Sequence, residues 1–278
     1  MYFKLIGQVY PMEVLGHRIV WSVPFLALLI VLERQGHVLR EILSDPKVVA
    51  TLFLTALLVG GNWFIFIYAV LTDRILDASL GYFINPLMNV LLGAVFLKER
   101  LRRGQGLAVF LAGIGTLVMT VHQGGLPWIS LVLPFSFGFY GLLRKTVPVD
   151  SVKGLFIETA LLFPVAFIYL VYREMNGVGS FVNVDWQTTL LLSLAGVITS
   201  GPLICFTKAA RRLRYGTLGL LQYLAPTLQF FLGVFCYDEP FTAAHTITFC
   251  FIWGGLGLFT ADTFLTLKTQ SNPPLKRP

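Results

Sequence analysis

The chain has 278 residues, 56% of them hydrophobic and only 13% charged, with a formal net charge of +7 and a mean hydropathy of +0.75. A soluble domain carries about twice that share of charge, so that class is excluded. Apolar runs of about 20 residues recur, each long enough to cross a bilayer core as a helix, and the fold class expected is an all-α polytopic membrane protein.

Helices are predicted at 12–32, 48–70, 77–97, 104–122, 126–143, 153–172, 188–207, 216–237 and 244–267, nine spans in all. The first carries His17, Arg18 and Pro24, and the second Asn62, Trp63 and Tyr68. The third reads GYFINPLMNVLLGAVFLKER over 81–100 and places Tyr82, Asn85 and Asn89 at i, i+3 and i+7 on one face. Glu158 and Pro164 lie in the sixth, and the eighth carries Gln222, Tyr223, Pro226 and Gln229. Pro86 and Pro226 deprive the carbonyls of Tyr82 and Gln222 of their helical donors. Such carbonyls either coordinate a cation or a substrate donor, or bond a neighbouring hydroxyl or water. The polar stripes around them face the protein interior, where cavity lining and interhelical bonding are both open readings.

Taking the loops in order, 17 of the 21 Lys and Arg residues fall on one side of these spans. That excess orients the chain with its C-terminus in the cytoplasm and accounts for the positive charge without nucleic acid. Cys205, Cys236 and Cys250 all lie in apolar segments with no paired spacing, and the four histidines are scattered, so no disulfide, metal or cofactor is expected.

An internal repeat runs at an offset of 140: Pro24 falls on Pro164, Gly61 on Gly201, Phe66 on Phe206, Pro86 on Pro226, Gly93 on Gly233, Glu99 on Glu239 and Gly115 on Gly255. The domains expected are a first repeat over 1–125, a second over 126–268 and a cytoplasmic tail over 269–278. The second repeat has five helices, and the counterpart of its first would precede residue 4. The first repeat therefore lacks most of one helix, and Met1 reads as an internal methionine, a late start or a genuine loss. Five spans per copy invert one repeat against the other, the architecture of many secondary transporters. Ionisable residues inside spans are costly unless paired or hydrated. Arg18 and Glu158 occupy equivalent positions in the two copies, at opposite depths about 12 Å apart along the membrane normal. They are expected to be two separate cavity charges or, on the other reading, snorkelling groups at helix ends.

HRIVWS at 17–22, GGNWFIFIYAV at 60–70, SLGYFINPL at 79–87, LKER at 97–100, FSFGFYGLLRK at 135–145, IET at 157–159, CFT.AA.RLR at 205–214 and TLG..QY..PTL at 217–228 resemble the RarD branch of the EamA permeases, within the drug/metabolite transporter superfamily. The resemblance covers nearly the whole chain. It implies ten transmembrane helices in two inverted halves, a bacterial inner-membrane location and a transport function without a settled substrate. Only YFKLI at 2–6 matches the tail of the family's first helix.

The function expected is a secondary-active inner-membrane permease for a small metabolite or drug, working by alternating access around a central polar cavity. Arg18, Asn62, Trp63, Tyr82, Asn85, Asn89, Glu158, Gln222, Tyr223 and Gln229 are the candidate cavity residues, and Glu158 and His17 the candidate proton carriers. The partners expected are a small-molecule substrate and the lipid bilayer, with a homodimer left open. A channel and a membrane-embedded enzyme are the alternatives. The dipeptide NP at 85–86 favours a channel, but its copy reads AP, and no acid, nucleophile or metal cluster supports an enzyme.

Overall fold

The computed structural model describes residues 6, 8–34, 36–72, 74–122, 124, 128–181, 183–225, 227–228 and 243–271. Among the described residues it is helices joined by turns and loops, with no strand. The helices are α1 (Pro11–Leu32), α2 (Gly36–Ser44), α3 (Pro46–Leu71), α4 (Ile75–Phe96), α5 (Arg103–His122), α6 (Trp128–Thr146), α7 (Ser151–Met175), α8 (Trp186–Arg212), α9 (Tyr215–Leu221) and α10 (Ala243–Ser271). Among the described residues, α1, α3, α5, α7, α8 and α10 are long and apolar enough to span a membrane, and α4 has a shorter apolar stretch over Gly81–Phe96. The chain is a multi-pass membrane protein.

Two departures from the sequence reading have local causes. Gly36–Ser44 forms a short helix with no buried residue in a segment expected to be a loop; at nine residues it is too short to span. The span expected over 216–237 breaks early: α9 stops at Leu221 and Gln222 is its C-cap. Four residues later the sequence has Pro226, which has no N–H to donate to the Gln222 carbonyl. That carbonyl takes Ala225 N–H at 3.1 Å in a tighter turn, and helix is described again at 224–225 and 227–228. Pro226 itself, Gln229 and Glu239 lie outside the described residues.

Helix starts record the repeat. Pro11 and Ser151, Pro46 and Trp186, and Ile75 and Tyr215 each open a helix, and each pair is separated by 140 residues. The caps repeat as well in one pair. Asp45 accepts Lys47 N–H at 2.9 Å ahead of α3, and Asp185 accepts Thr188 N–H at 2.5 Å ahead of α8.

The chain divides into two compact units, one of residues 1–74 and 139–212, the other of 75–138 and 213–278. Each gathers helices from both repeats. In the second unit, α5 and its repeat mate α10 cross at small residues. A Cβ on Gly115 would lie 2.9 Å from the Thr248 carbonyl, and one on Gly255 would lie 2.7 Å from the Ala108 carbonyl. Ala108 and Thr248 are themselves 140 apart, so the crossing is pseudo-symmetric. As the contact climbs α5 from 108 to 115 it descends α10 from 255 to 248, which makes the mates antiparallel. The same holds in the first unit, where Glu13 meets Arg173 and Gly16 meets Leu170 along α1 and α7. Antiparallel mates are what an inverted repeat requires.

Candidate functional site

In the first unit the α6–α7 hairpin builds a buried charge network. Asp150 accepts Val152 N–H at 2.9 Å and so fixes the start of α7. Glu158, two turns on, faces α3 and α6. Thr55 donates its hydroxyl to Glu158 Oε1 at 2.6 Å, and Tyr140 donates to Oε2 at 3.3 Å. Arg144 Nε stands 3.4 Å from Oε1, and both side chains of this ion pair are 0% exposed. The guanidinium also donates through Nη2 to the carbonyls of Asp150 at 3.3 Å and Ser151 at 3.1 Å. Its course is cleared by Gly154, where a Cβ would sit 1.9 Å from Nη1. Taking either charge away leaves the other buried and uncompensated, which is the expensive state of such a pair.

Arg18 belongs to a different cluster of the same unit. Its Nε donates to Thr199 Oγ1 at 2.8 Å, and its guanidinium lies 4.8 Å from the centroid of the Trp63 ring. One turn on, Ser22 accepts from Ser200 Oγ at 3.0 Å. The α1 backbone reaches α8 closely here, since a Cβ on Gly196 would lie 2.2 Å from the Trp21 carbonyl carbon. Asn62 sits half-buried on α3 beside Trp63. His17 is 4% exposed, and its ring stacks on Phe181 at 4.8 Å. Glu13, also buried, pairs with Arg173 at 3.3 Å and takes the Ser180 backbone and hydroxyl donors.

The second unit holds the amide cluster. Asn85 donates Nδ2 to Gln222 Oε1 at 3.2 Å, and Asn89 donates to the same oxygen. Tyr223 donates its hydroxyl to the Phe83 carbonyl at 3.1 Å, joining two repeat mates directly. Tyr82 is exposed on α4. At the end of α4, Glu99 accepts Tyr215 N–H at 2.7 Å and Gly216 N–H at 3.0 Å, tying the LKER segment to the start of α9.

Among the sequence-derived candidates, Arg18 and Trp63 come together in one cluster, and Asn85, Asn89, Gln222 and Tyr223 in another. Glu158 stands apart with Arg144, Thr55 and Tyr140, none of which the sequence reading singled out. The signal for them was the demand of a buried carboxylate for donors, but no spacing rule identifies which residues supply them.

Comparison with known proteins gives a consistent picture. The EamA-like transporter family matches residues 1–121. The chain is 49% identical over 262 residues to an "Uncharacterized transporter" of Vibrio cholerae serotype O1, covering 94% of this chain and 87% of that protein. It is 46% identical over 270 residues to "Protein RarD" of Escherichia coli K12, covering 97% and 91%. A crystal structure at 21% identity superposes with a TM-score of 0.68 over 94% of this chain and 90% of the other, a likeness of fold alone.

Proposed function

The chain belongs to the EamA-like transporter family, and from that premise we propose that it is a secondary-active permease of the bacterial inner membrane for a small metabolite or drug. The two inverted repeats alternate access to the solute, and the C-terminus lies in the cytoplasm. The observation that carries this reading is the antiparallel packing of repeat mates at an offset of 140, seen at Gly115 with Thr248 and at Gly255 with Ala108. Inverted mates supply two conformations related by exchange of the halves, which is the basis of alternating access in such folds.

Protons are the coupling ion in this reading, and Glu158 carries them. Protonating Glu158 removes the counter-charge of Arg144 while leaving both groups buried. The resulting unpaired guanidinium favours rearrangement of the α6–α7 hairpin, so proton uptake and conformation are linked. His17 is the second titratable candidate, on α1. The candidate solute contacts are those expected from the sequence: Arg18, Asn62, Trp63, Tyr82, Asn85, Asn89, Gln222, Tyr223 and, outside the described residues, Gln229.

Purified full-length chain in proteoliposomes with an internal pH dye tests the reading against a panel of amino acids, small metabolites and aromatic drugs. At least one solute is expected to drive saturable proton movement that Glu158→Gln abolishes. Transport that keeps its pH dependence in Glu158→Gln removes Glu158 from the mechanism. Flux that never saturates supports the channel instead.

A further inference from the structure

The α4–α9 crossing has an imbalance that the solute reading alone does not use. Asn85 and Asn89, one turn apart on α4, spend their amide donors on a single acceptor, Gln222 Oε1. Both Oδ1 atoms are turned away from that bond. Each is buried and has no hydrogen-bond partner among the described residues, and Asn89 is 0% exposed. Buried side-chain acceptors are rarely left unmet, because desolvation is not recovered without a partner. The two Oδ1 atoms are unmet amide oxygens one turn apart on α4, the atom type that hard cations and ammonium groups prefer.

Two further features suit a cation there. The nearby Tyr223 hydroxyl is already committed to the Phe83 carbonyl, so it does not supply the missing donor. The backbones are as close as they can be: a Cβ on Gly219 would lie 2.6 Å from the Pro86 carbonyl and 3.0 Å from Asn89 Cβ. This closeness holds the amides in place. Phe83 and Tyr223 are repeat mates in contact, which puts the crossing on the local pseudo-two-fold axis, where inverted-repeat proteins bind ions and substrates.

We propose that Asn85 Oδ1 and Asn89 Oδ1 form a site for a monovalent cation, either an alkali ion or the ammonium group of a solute. Its role in coupling rests on the permease reading, but its occupancy does not. The competing arrangement turns all three amides over and presents two NH2 groups, which would select an anion.

Full-length protein in nanodiscs is titrated with sodium chloride or ethylammonium chloride against choline chloride at constant ionic strength, and with choline acetate as the anion probe. The readout is the thermal unfolding midpoint. Sodium, ethylammonium or both are expected to raise the midpoint above choline. A response to sodium alone assigns an alkali ion, and a response to ethylammonium alone assigns a solute ammonium. Asn89→Leu is expected to raise the half-saturating concentration by about tenfold or more, the weight of one ligand to a charged group. Asn85→Ala, at a half-buried position, gives the same shift and guards against a folding defect in Asn89→Leu. No cation response beyond choline in folded protein, or a response to acetate alone, overturns the site. Cation binding without any solute flux would sink the permease reading and leave the site standing; flux without cation binding does the reverse.

Discussion

Arg144 shows how far residue-level reading reaches. Its sequence context, LLRKT at the end of a span, places it among the basic loop residues. In the structure α6 runs on to Thr146, four residues turn the chain, and the guanidinium folds back along α7 across Gly154 to reach Glu158. The cost of a carboxylate in a span is legible in one sequence; the partner is not, because it depends on a turn geometry and on an absent Cβ. Arg144→Leu is predicted to cost about 3–5 kcal/mol by stranding Glu158, whereas Arg144→Leu with Glu158→Leu recovers most of that loss. Reversible unfolding in mixed micelles measures both. A double variant whose loss equals the sum of the Arg144→Leu and Glu158→Leu losses would mean that the pair is not energetically coupled. Charge at mate positions is also reversed, with Glu13 against Lys153 and Arg18 against Glu158. An inverted copy puts equivalent residues at opposite faces of the bilayer. Lys153 then lies on the basic side as the charge rule asks, whereas Arg18 and Glu158 run against it and answer to their own partners, Thr199 and Arg144.

At the scale of elements, apolar length found the long helices, and the glycines marked their crossings. Gly115 and Gly255 are needed because a carbonyl of the partner helix lies within 3 Å of where a side chain would begin. Gly115→Leu or Gly255→Leu is predicted to lower stability by about 1–3 kcal/mol through overpacking, whereas Gly113→Leu, open to 4 Å around its Cβ position, is neutral by the same unfolding measurement. What length could not show was the interruption of the helix after Leu221, since Pro24, Pro86, Pro134, Pro164 and Pro202 all lie inside continuous helices. Helix α8 offers a pH test outside the membrane. The Thr188 N–H bond holds the Asp185 carboxyl below the usual carboxylate range. A depressed carboxylate contributes stability above its unfolded value, near 3.9, and loses it as pH falls through the folded value. Protection of the Thr188 amide, taken relative to its intrinsic exchange rate at each pH, is therefore expected to fall below about pH 4 in the parent chain, and to be low at every pH in Asp185→Ala.

For the whole molecule, the repeat was readable as spaced identities at one offset, and the described helix starts reproduce that offset three times. The grouping of helices was not readable. The compact units cut across the repeats, because α4 packs on its mate α9 and α5 on its mate α10, while α1 packs on its mate α7 and also on α8. Inversion is the claim from which alternating access, the charge reversal and the crossing at the local two-fold axis all follow. Its most direct test is sidedness at the two equivalent helix caps, Asp45 and Asp185. In a background with Cys205, Cys236 and Cys250 replaced by serine, Asp45→Cys and Asp185→Cys are labelled singly with a membrane-impermeant maleimide in intact cells and in inverted vesicles. The account predicts Asp185→Cys to react in intact cells and Asp45→Cys only in inverted vesicles; reaction of both from the same side would contradict it.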